Sequence, residues 1–181
     1  ATANSISHLG AVPHFVDVQK SSCGMCPAAL ADRIAAVAEK RDGKLVNRES
    51  GRRIAAVLPV HVFGHPAEVD QIRGVANSWD LPLVEDAAEA LCSWRGEVHC
   101  GLFGSVGILS FNGNKLITTG GGGALLTNDA GLAKKARHLS TTAKIAHPWE
   151  FEHDQVGWND RLPNINAALG LAQLEDLGRR L

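Results

Sequence analysis

The sequence contains no apolar run approaching the roughly 20 residues that a membrane-spanning helix requires. Its first residues, Ala1-Thr2-Ala3-Asn4-Ser5, lack both the basic segment and the apolar core of a secretion signal. It also lacks an excess of charge of either sign: 18 Lys and Arg stand against 19 Asp and Glu, for a formal net charge of -1. So even a balance provides no general field for nucleic acid or an anionic membrane, and neither is expected as a partner. Cysteine is sparse, with four residues, and nothing in its placement argues for an oxidising compartment, so a cytoplasmic protein is the default. Internal repeats are absent, and so is low-complexity sequence beyond the glycines at 120–123. There is no initiator Met, and the chain opens as though cut from something longer.

What remains is the composition of an ordinary globular protein, 45% hydrophobic and 20% charged over 181 residues, a length that suits one domain. Apolar runs alternate with helical patterns. Short strands are expected at Phe15–Val18, Leu81–Val84, Ser105–Phe111 and Gly123–Thr127. The continuous β-branched and aliphatic run Ile54–Val60 reads as a strand buried on both faces. Helices are expected over Pro27–Glu39, Pro66–Ser78 and Gly131–Leu139, and from Pro163 onward, where Ile165, Ala168, Leu169, Ala172 and Gln173 recur at helical spacing. Small residues in that last stretch suit a close contact between elements or subunits, or plain core packing. Such alternation predicts an α/β fold with a mostly parallel sheet flanked by helices, whose ligands gather at the carboxyl ends of the strands.

Two stretches admit a plain reading. Cys23 and Cys26 form a C-x-x-C, but Cys26 precedes Pro27 at an expected helix start, and Cys92 and Cys100 lie at no zinc spacing, so a turn carrying two thiols is the simplest account. The charged segment from Arg41 to Arg53 has no interleaved aromatic residue for base stacking and reads as a solvated loop or hairpin.

Chemistry concentrates in Ser110-Phe111-Asn112-Gly113-Asn114-Lys115 followed by Leu116-Ile117-Thr118-Thr119 and Gly120–Gly123. The lysine precedes the glycines, so this is not a phosphate-binding P-loop. By spacing alone the glycines could equally make a tight turn between two strands. Asp86 falls at the end of the expected strand Leu81–Val84, on the same sheet edge. A lone aspartate there could cap a helix over Ala87-Ala88-Glu89-Ala90. A lysine and an aspartate on one edge, with the Ser110 hydroxyl nearby, instead suit a pyridoxal 5'-phosphate site. The lysine amine binds the cofactor aldehyde, the aspartate keeps the pyridine nitrogen protonated, and the hydroxyl and loop amides take the phosphate.

Three segments in order, Val84-Glu85-Asp86-Ala87-Ala88-Glu89-Ala90, Ser110–Gly123 and Gly157-Trp158-Asn159-Asp160-Arg161-Leu162-Pro163-Asn164-Ile165-Asn166-Ala167-Ala168-Leu169-Gly170, resemble the DegT/DnrJ/EryC1 family of nucleotide-sugar aminotransferases. Ala1–Ser5 and Pro59-Val60-His61-Val62-Phe63-Gly64 also resemble its pattern, so the likeness covers nearly the whole chain. It implies the aspartate-aminotransferase fold, that is, the pyridoxal-phosphate-dependent transferase fold of type I. Residues 1–181 would form a single partial domain, the central part of the cofactor-binding large domain, without the upstream segment and the C-terminal small domain. Such a segment is expected to bind cofactor weakly by itself.

The resemblance also implies roles. Lys115 would hold the cofactor covalently and then move the proton between cofactor and substrate carbons. Asp86 would pair with the pyridine nitrogen, and Ser110 would bind the phosphate. Glu89, where many relatives carry Gln, would lie near the ring's phenolic oxygen. Asn159 would reach the phosphate of a neighbouring subunit's cofactor, making a homodimer with shared sites, and Arg161 would face the substrate diphosphate. Lysine at 115, rather than the His of a few dehydrating relatives, favours amino transfer. The runs Phe111–Lys115, Thr118–Gly123 and His147–Phe151 look closest to members that aminate UDP-linked 4-keto-6-deoxy-N-acetylhexosamines, with L-glutamate as donor. Two other expectations compete: a metal-binding or interaction module built on Cys23, Cys26, His61 and His65, and a cofactor-binding relative without activity.

Overall fold

A computed structural model describes residues 1–181. Helix α1 (Thr2–His8), which the sequence pattern did not suggest, leads into a stretch without regular structure. The strand expected at Phe15–Val18 does not form; Val18 makes one antiparallel bridge to Met25, and Phe15 is 77% exposed, with no neighbouring strand to cover it. Helix α2 (Pro27–Val37) starts where expected, with Cys26 as its N-cap and Pro27 in its first turn, where a missing N–H costs nothing. It buries Pro27, Leu30, Ile34 and Val37, one face at helical spacing. The helix stops before Glu39 because Ala38 turns extended and begins β1 (Ala38–Arg41), which pairs antiparallel with β2 (Lys44–Asn47). Asp42 and Gly43 make the two-residue turn, both at positive φ, so the charged insert is a hairpin.

The run Ile54–Val60 departs from expectation. It touches the sheet only through parallel bridges, Val57 to Leu83 and Val60 to Asp86, and Ala55 and Ala56 are exposed. Pro59 within it has no N–H to give a ladder. Helix α3 (Val69–Ser78) starts three residues after Pro66 and buries Val69, Ile72 and Ala76. Strand β3 (Val84–Asp86) follows, later than the expected Leu81–Val84, and no helix follows Asp86. A small hairpin of β4 (Trp94–Arg95) and β5 (Val98–His99) precedes β6 (Val106–Ser110), β7 (Gly123–Leu126) and α4 (Ala130–Ser140). Asp129 caps α4, its Oδ1 accepting the amides of Gly131 (2.7 Å) and Leu132 (3.0 Å). The last α-helix is α5 (Asn164–Glu175), beginning directly after Pro163 and followed by a 3-10 turn at Leu177–Arg179.

The main sheet has the order β3-β6-β7. β3 and β6 are parallel, and the bridged segment beside β3 is parallel too, but β7 runs antiparallel to β6. The sheet is thus mostly parallel, as expected, with β7 as its one antiparallel strand. The loop 111–122 joins β6 to β7 with no crossover helix, and the chain returns antiparallel. Leu30 and Ile34 of α2, Ile72 of α3, and Val57, Leu81, Leu83 and Phe103 fill the core between helices and sheet. A smaller apolar cluster, Ala87, Ala90, Cys100 and Leu109, lies at the carboxyl end of β3. No helix is long and apolar enough to cross a membrane.

Candidate active site

The carboxyl ends of β3 and β6 lie side by side, with Asp86 in register with Ile108, two residues before Ser110. Asp86 is held through both its peptide groups: its N–H donates to Pro59 O (3.0 Å), and its carbonyl accepts the His61 N–H (3.0 Å). Its carboxylate takes the Thr2 hydroxyl on Oδ2 and the Ala88 N–H on Oδ1 (3.1 Å). The aspartate thus closes a local turn rather than capping a helix. Ser110 ends β6, and its Oγ accepts the Asn112 N–H at 3.3 Å.

Lys115 sits in the turn that follows, its N–H bonded to Asn112 O (3.0 Å). Its side chain is only 16% exposed, and Nζ donates to Glu89 Oε1 at 3.0 Å. The other oxygen of Glu89 accepts the Phe63 N–H at 3.0 Å. One carboxylate therefore ties the lysine to the Pro59–Gly64 segment, a contact that neither spacing nor pattern revealed. The adjoining Gly64 has φ +77°, and its carbonyl accepts the Ser93 hydroxyl at 2.5 Å.

The glycine loop is shaped, not slack. Thr119 N donates to Phe111 O (3.0 Å) and Phe111 N to Gly122 O (3.0 Å). Thr118 Oγ1 donates to Phe111 O (3.2 Å) and accepts the Gly120 N–H (2.9 Å). Gly120 and Gly122 have φ +78° and +94°, and a Cβ on Gly122 would lie 2.8 Å from Leu162. From α5, the Gln173 amide accepts Thr118 N–H (3.0 Å) and donates to Thr118 O (2.6 Å). A Cβ on Gly170 would lie 2.8 Å from Thr119, so the small residue does permit a close approach, as its place in the helix suggested.

Asn159 and Arg161 are exposed, and neither side chain hydrogen-bonds within the chain. Residues 158–160 run back along the end of α4: Trp158 N donates to Leu139 O (2.7 Å), Asp160 N to Ser140 O (3.0 Å), and Asn159 bridges Thr141. Within one chain the structure joins Lys115 to Glu89 and sets the strand ends of Asp86 and Ser110 side by side; no hydrogen bond or ion pair links the side chains of Asn159 and Arg161 to them.

Sequence reasoning missed a pair beneath the site. The side chains of His61 and Glu85 have no exposure, and His61 Nε2 lies 3.0 Å from Glu85 Oε2. Burial opposes a positive charge on this imidazole, while the Cys100 thiol and the Glu85 carboxylate favour one. Yet Nδ1 accepts the Ala67 N–H at 3.1 Å, and a second ring proton would point into that amide. The hydrogen bonds therefore assign the neutral ring with its proton on Nε2, donated to Glu85. With both ring nitrogens committed, His61 is lost to the metal-binding alternative, and the structure gathers no group of three His, Cys, Asp or Glu that could hold a metal.

The architecture is that of the pyridoxal-phosphate-dependent transferases of fold type I, as in a solved aminotransferase from Brucella abortus that is 35% identical, with TM-score 0.86 over 98% of this chain and 45% of that one. The chain belongs to the DegT/DnrJ/EryC1/StrS aminotransferase family, whose profile matches residues 1–181. Among curated relatives, it is 40% identical to EpsN of Bacillus subtilis over 100% of this chain and 44% of that protein, which its name assigns to the pyridoxal phosphate-dependent aminotransferases. It is 37% identical to GDP-perosamine synthase of Escherichia coli over 97% of this chain and 43% of that protein. The chain thus spans less than half the length of these relatives.

Proposed function

We propose that this protein performs pyridoxal-phosphate-dependent transamination of a nucleotide-linked keto-sugar, with L-glutamate as amino donor. The observation that carries the reading is Lys115 Nζ, enclosed and held 3.0 Å from Glu89 beside the strand end that bears Asp86. The residues fit the cofactor: a mostly enclosed primary amine, a carboxylate at the end of a parallel strand, and a hydroxyl at the end of the next strand with a glycine-rich loop beyond it. When bound, pyridoxal phosphate supplies an aldehyde for the amine and a ring that accepts an electron pair.

Lys115 Nζ would hold the cofactor and would move the proton between cofactor and substrate carbons. Asp86 holds a proton on the ring nitrogen. Ser110 Oγ and the backbone amides of the loop bind the phosphate. Glu89, already bonded to Lys115, would orient the amine and lie near the ring's phenolic oxygen. Asn159 and Arg161, exposed in one chain, serve across a homodimer interface, Asn159 on the partner's cofactor phosphate and Arg161 on the substrate diphosphate. Residues 1–181 act as one part of the large domain, and a cytoplasmic location belongs to the same reading.

For the sugar, the likeness at 111–123 and 147–151 supports a UDP-linked 4-keto-6-deoxy-N-acetylhexosamine, while the similarity to GDP-perosamine synthase supports a GDP-linked sugar as the second reading. A panel of UDP- and GDP-linked 4-keto and 3-keto sugars, offered with glutamate to the whole protein, tests this. The expected outcome is an aminated UDP-sugar from wild type and none from Lys115→Ala. Turnover of the GDP-linked sugars alone moves the assignment to the second reading, and turnover of none refutes a nucleotide-sugar substrate.

A further inference from the structure

Alternation along β3 sends the side chains of Glu85 and Asp86 to opposite sides of the strand. Asp86 turns toward the candidate site, and Glu85 turns into the protein. There its carboxylate accepts His61 Nε2–H (3.0 Å) and the Gly101 N–H (2.8 Å) on Oε2, and the Gly104 N–H (2.6 Å) on Oε1. A buried anion survives only when donors saturate it, and here they come from two separate segments. Glycine is what lets the second segment come so close: a Cβ on Gly104 would collide with the Leu83 carbonyl, and one on Gly101, at φ +102°, would lie 3.3 Å from Ala87.

Stability alone does not account for where the pair sits. The segment that carries His61 also grips the backbone of Asp86 on both sides, through Pro59 O (3.0 Å) and His61 N–H (3.0 Å). His61 thus bonds the carbonyl of Asp86 with its main chain and the carboxylate of Glu85 with its ring. Within the chain, the Asp86 carboxylate meets only the Thr2 hydroxyl and the Ala88 N–H. Its direction is therefore set by the placement of its own backbone, which the neighbouring pair fixes.

We propose that Glu85 and His61 are positioning residues for Asp86: their buried hydrogen bond locks the end of β3 to the Pro59–Gly64 segment and so aims the Asp86 carboxylate at the cofactor ring. This rests on the reading of Asp86 as the partner of the ring nitrogen. A carboxylate displaced by a fraction of an ångström weakens that contact without removing the lysine that forms the covalent link.

The test titrates the whole protein with pyridoxal phosphate and follows the visible band of the lysine-bound cofactor. Wild type is compared with Glu85→Gln, His61→Gln, Glu85→Asp and Asp86→Asn, at a temperature where circular dichroism shows each to be folded. Glu85→Gln and His61→Gln are expected to weaken cofactor binding by about tenfold or more. Both should shift the band in the direction that Asp86→Asn shifts it, with Glu85→Asp recovering part of the loss. If Glu85→Gln fails to fold, His61→Gln and Glu85→Asp decide the matter by the same readouts. Variants that melt earlier but keep the wild-type affinity and band reduce the pair to a structural anchor and overturn the proposal, while the cofactor reading stands if Asp86→Asn is impaired. A wild-type protein that forms no band overturns both.

Discussion

Burial pushes the Glu85 carboxyl toward its neutral form, but the His61 Nε2–H and the amides of Gly101 and Gly104 outweigh burial and hold its pKa below the ordinary carboxylate range. The sign of the pH dependence follows. A group whose folded pKa is depressed contributes stability that is present above its unfolded pKa, about 4.3 for Glu, and lost as pH falls through the folded value. Wild-type unfolding free energy, measured in denaturant, is expected to fall as pH drops below about 5. Glu85→Gln is expected to be weaker at neutral pH by about 3 kcal/mol or more, because its amide N–H groups meet donors, and to show a flatter acid limb. Acid limbs of equal slope would contradict this. At this scale the placement of Asp86 and Ser110 at strand ends, and of Lys115 in the turn beyond Ser110, was legible because each lies at or after an apolar run. The pairing of His61 was hidden, and it entered only the competing metal-binding reading, since nothing in its neighbours reveals a carboxylate 24 residues away in sequence.

Elements were legible where periodicity and punctuation agreed. Pro27 and Pro163 mark the starts of α2 and α5, and Asp42-Gly43 closes the β1–β2 hairpin. Pattern failed where pairing partners decide: Phe15–Val18 has the composition of a strand but nothing to pair with, and the direction of β7 is set by a loop rather than by its residues. The link between α5 and the lysine loop was also hidden, because Gln173 reads as one polar position on a helix. In the folded chain its amide satisfies both the N–H and the C=O of Thr118. Gln173→Ala strands those two groups and is expected to cost about 1–3 kcal/mol. In thermal unfolding it should melt earlier, and the Thr118 amide should exchange its hydrogen faster. An unchanged melting temperature with unchanged protection would show that the loop holds its shape without the clamp.

At the scale of the molecule, much apolar surface remains outside. Helix α4 buries no residue, and Ile165, Leu169, Leu171 and Leu174 of α5 are exposed, as are Trp149, Phe151 and Val156 in the loop before it. Asn159 and Arg161 lie close to this surface in sequence, and both are exposed. The family was readable from the sequence because its three motifs are local runs: a strand-end carboxylate, a lysine before a glycine loop, and an Asn-x-Arg ahead of a helix. What packs beneath and around that chemistry was not readable, because burial depends on partners distant in sequence.

All of this turns on Lys115 as the residue that holds the cofactor. The most direct measurement is to load the whole protein with pyridoxal phosphate, reduce it with borohydride, digest it and locate the tagged peptide by mass spectrometry. The expected result is a visible band that borohydride removes and a tag on Lys115 alone, with none in Lys115→Ala. A tag on any other lysine, or no band in the wild-type protein, would contradict the assignment.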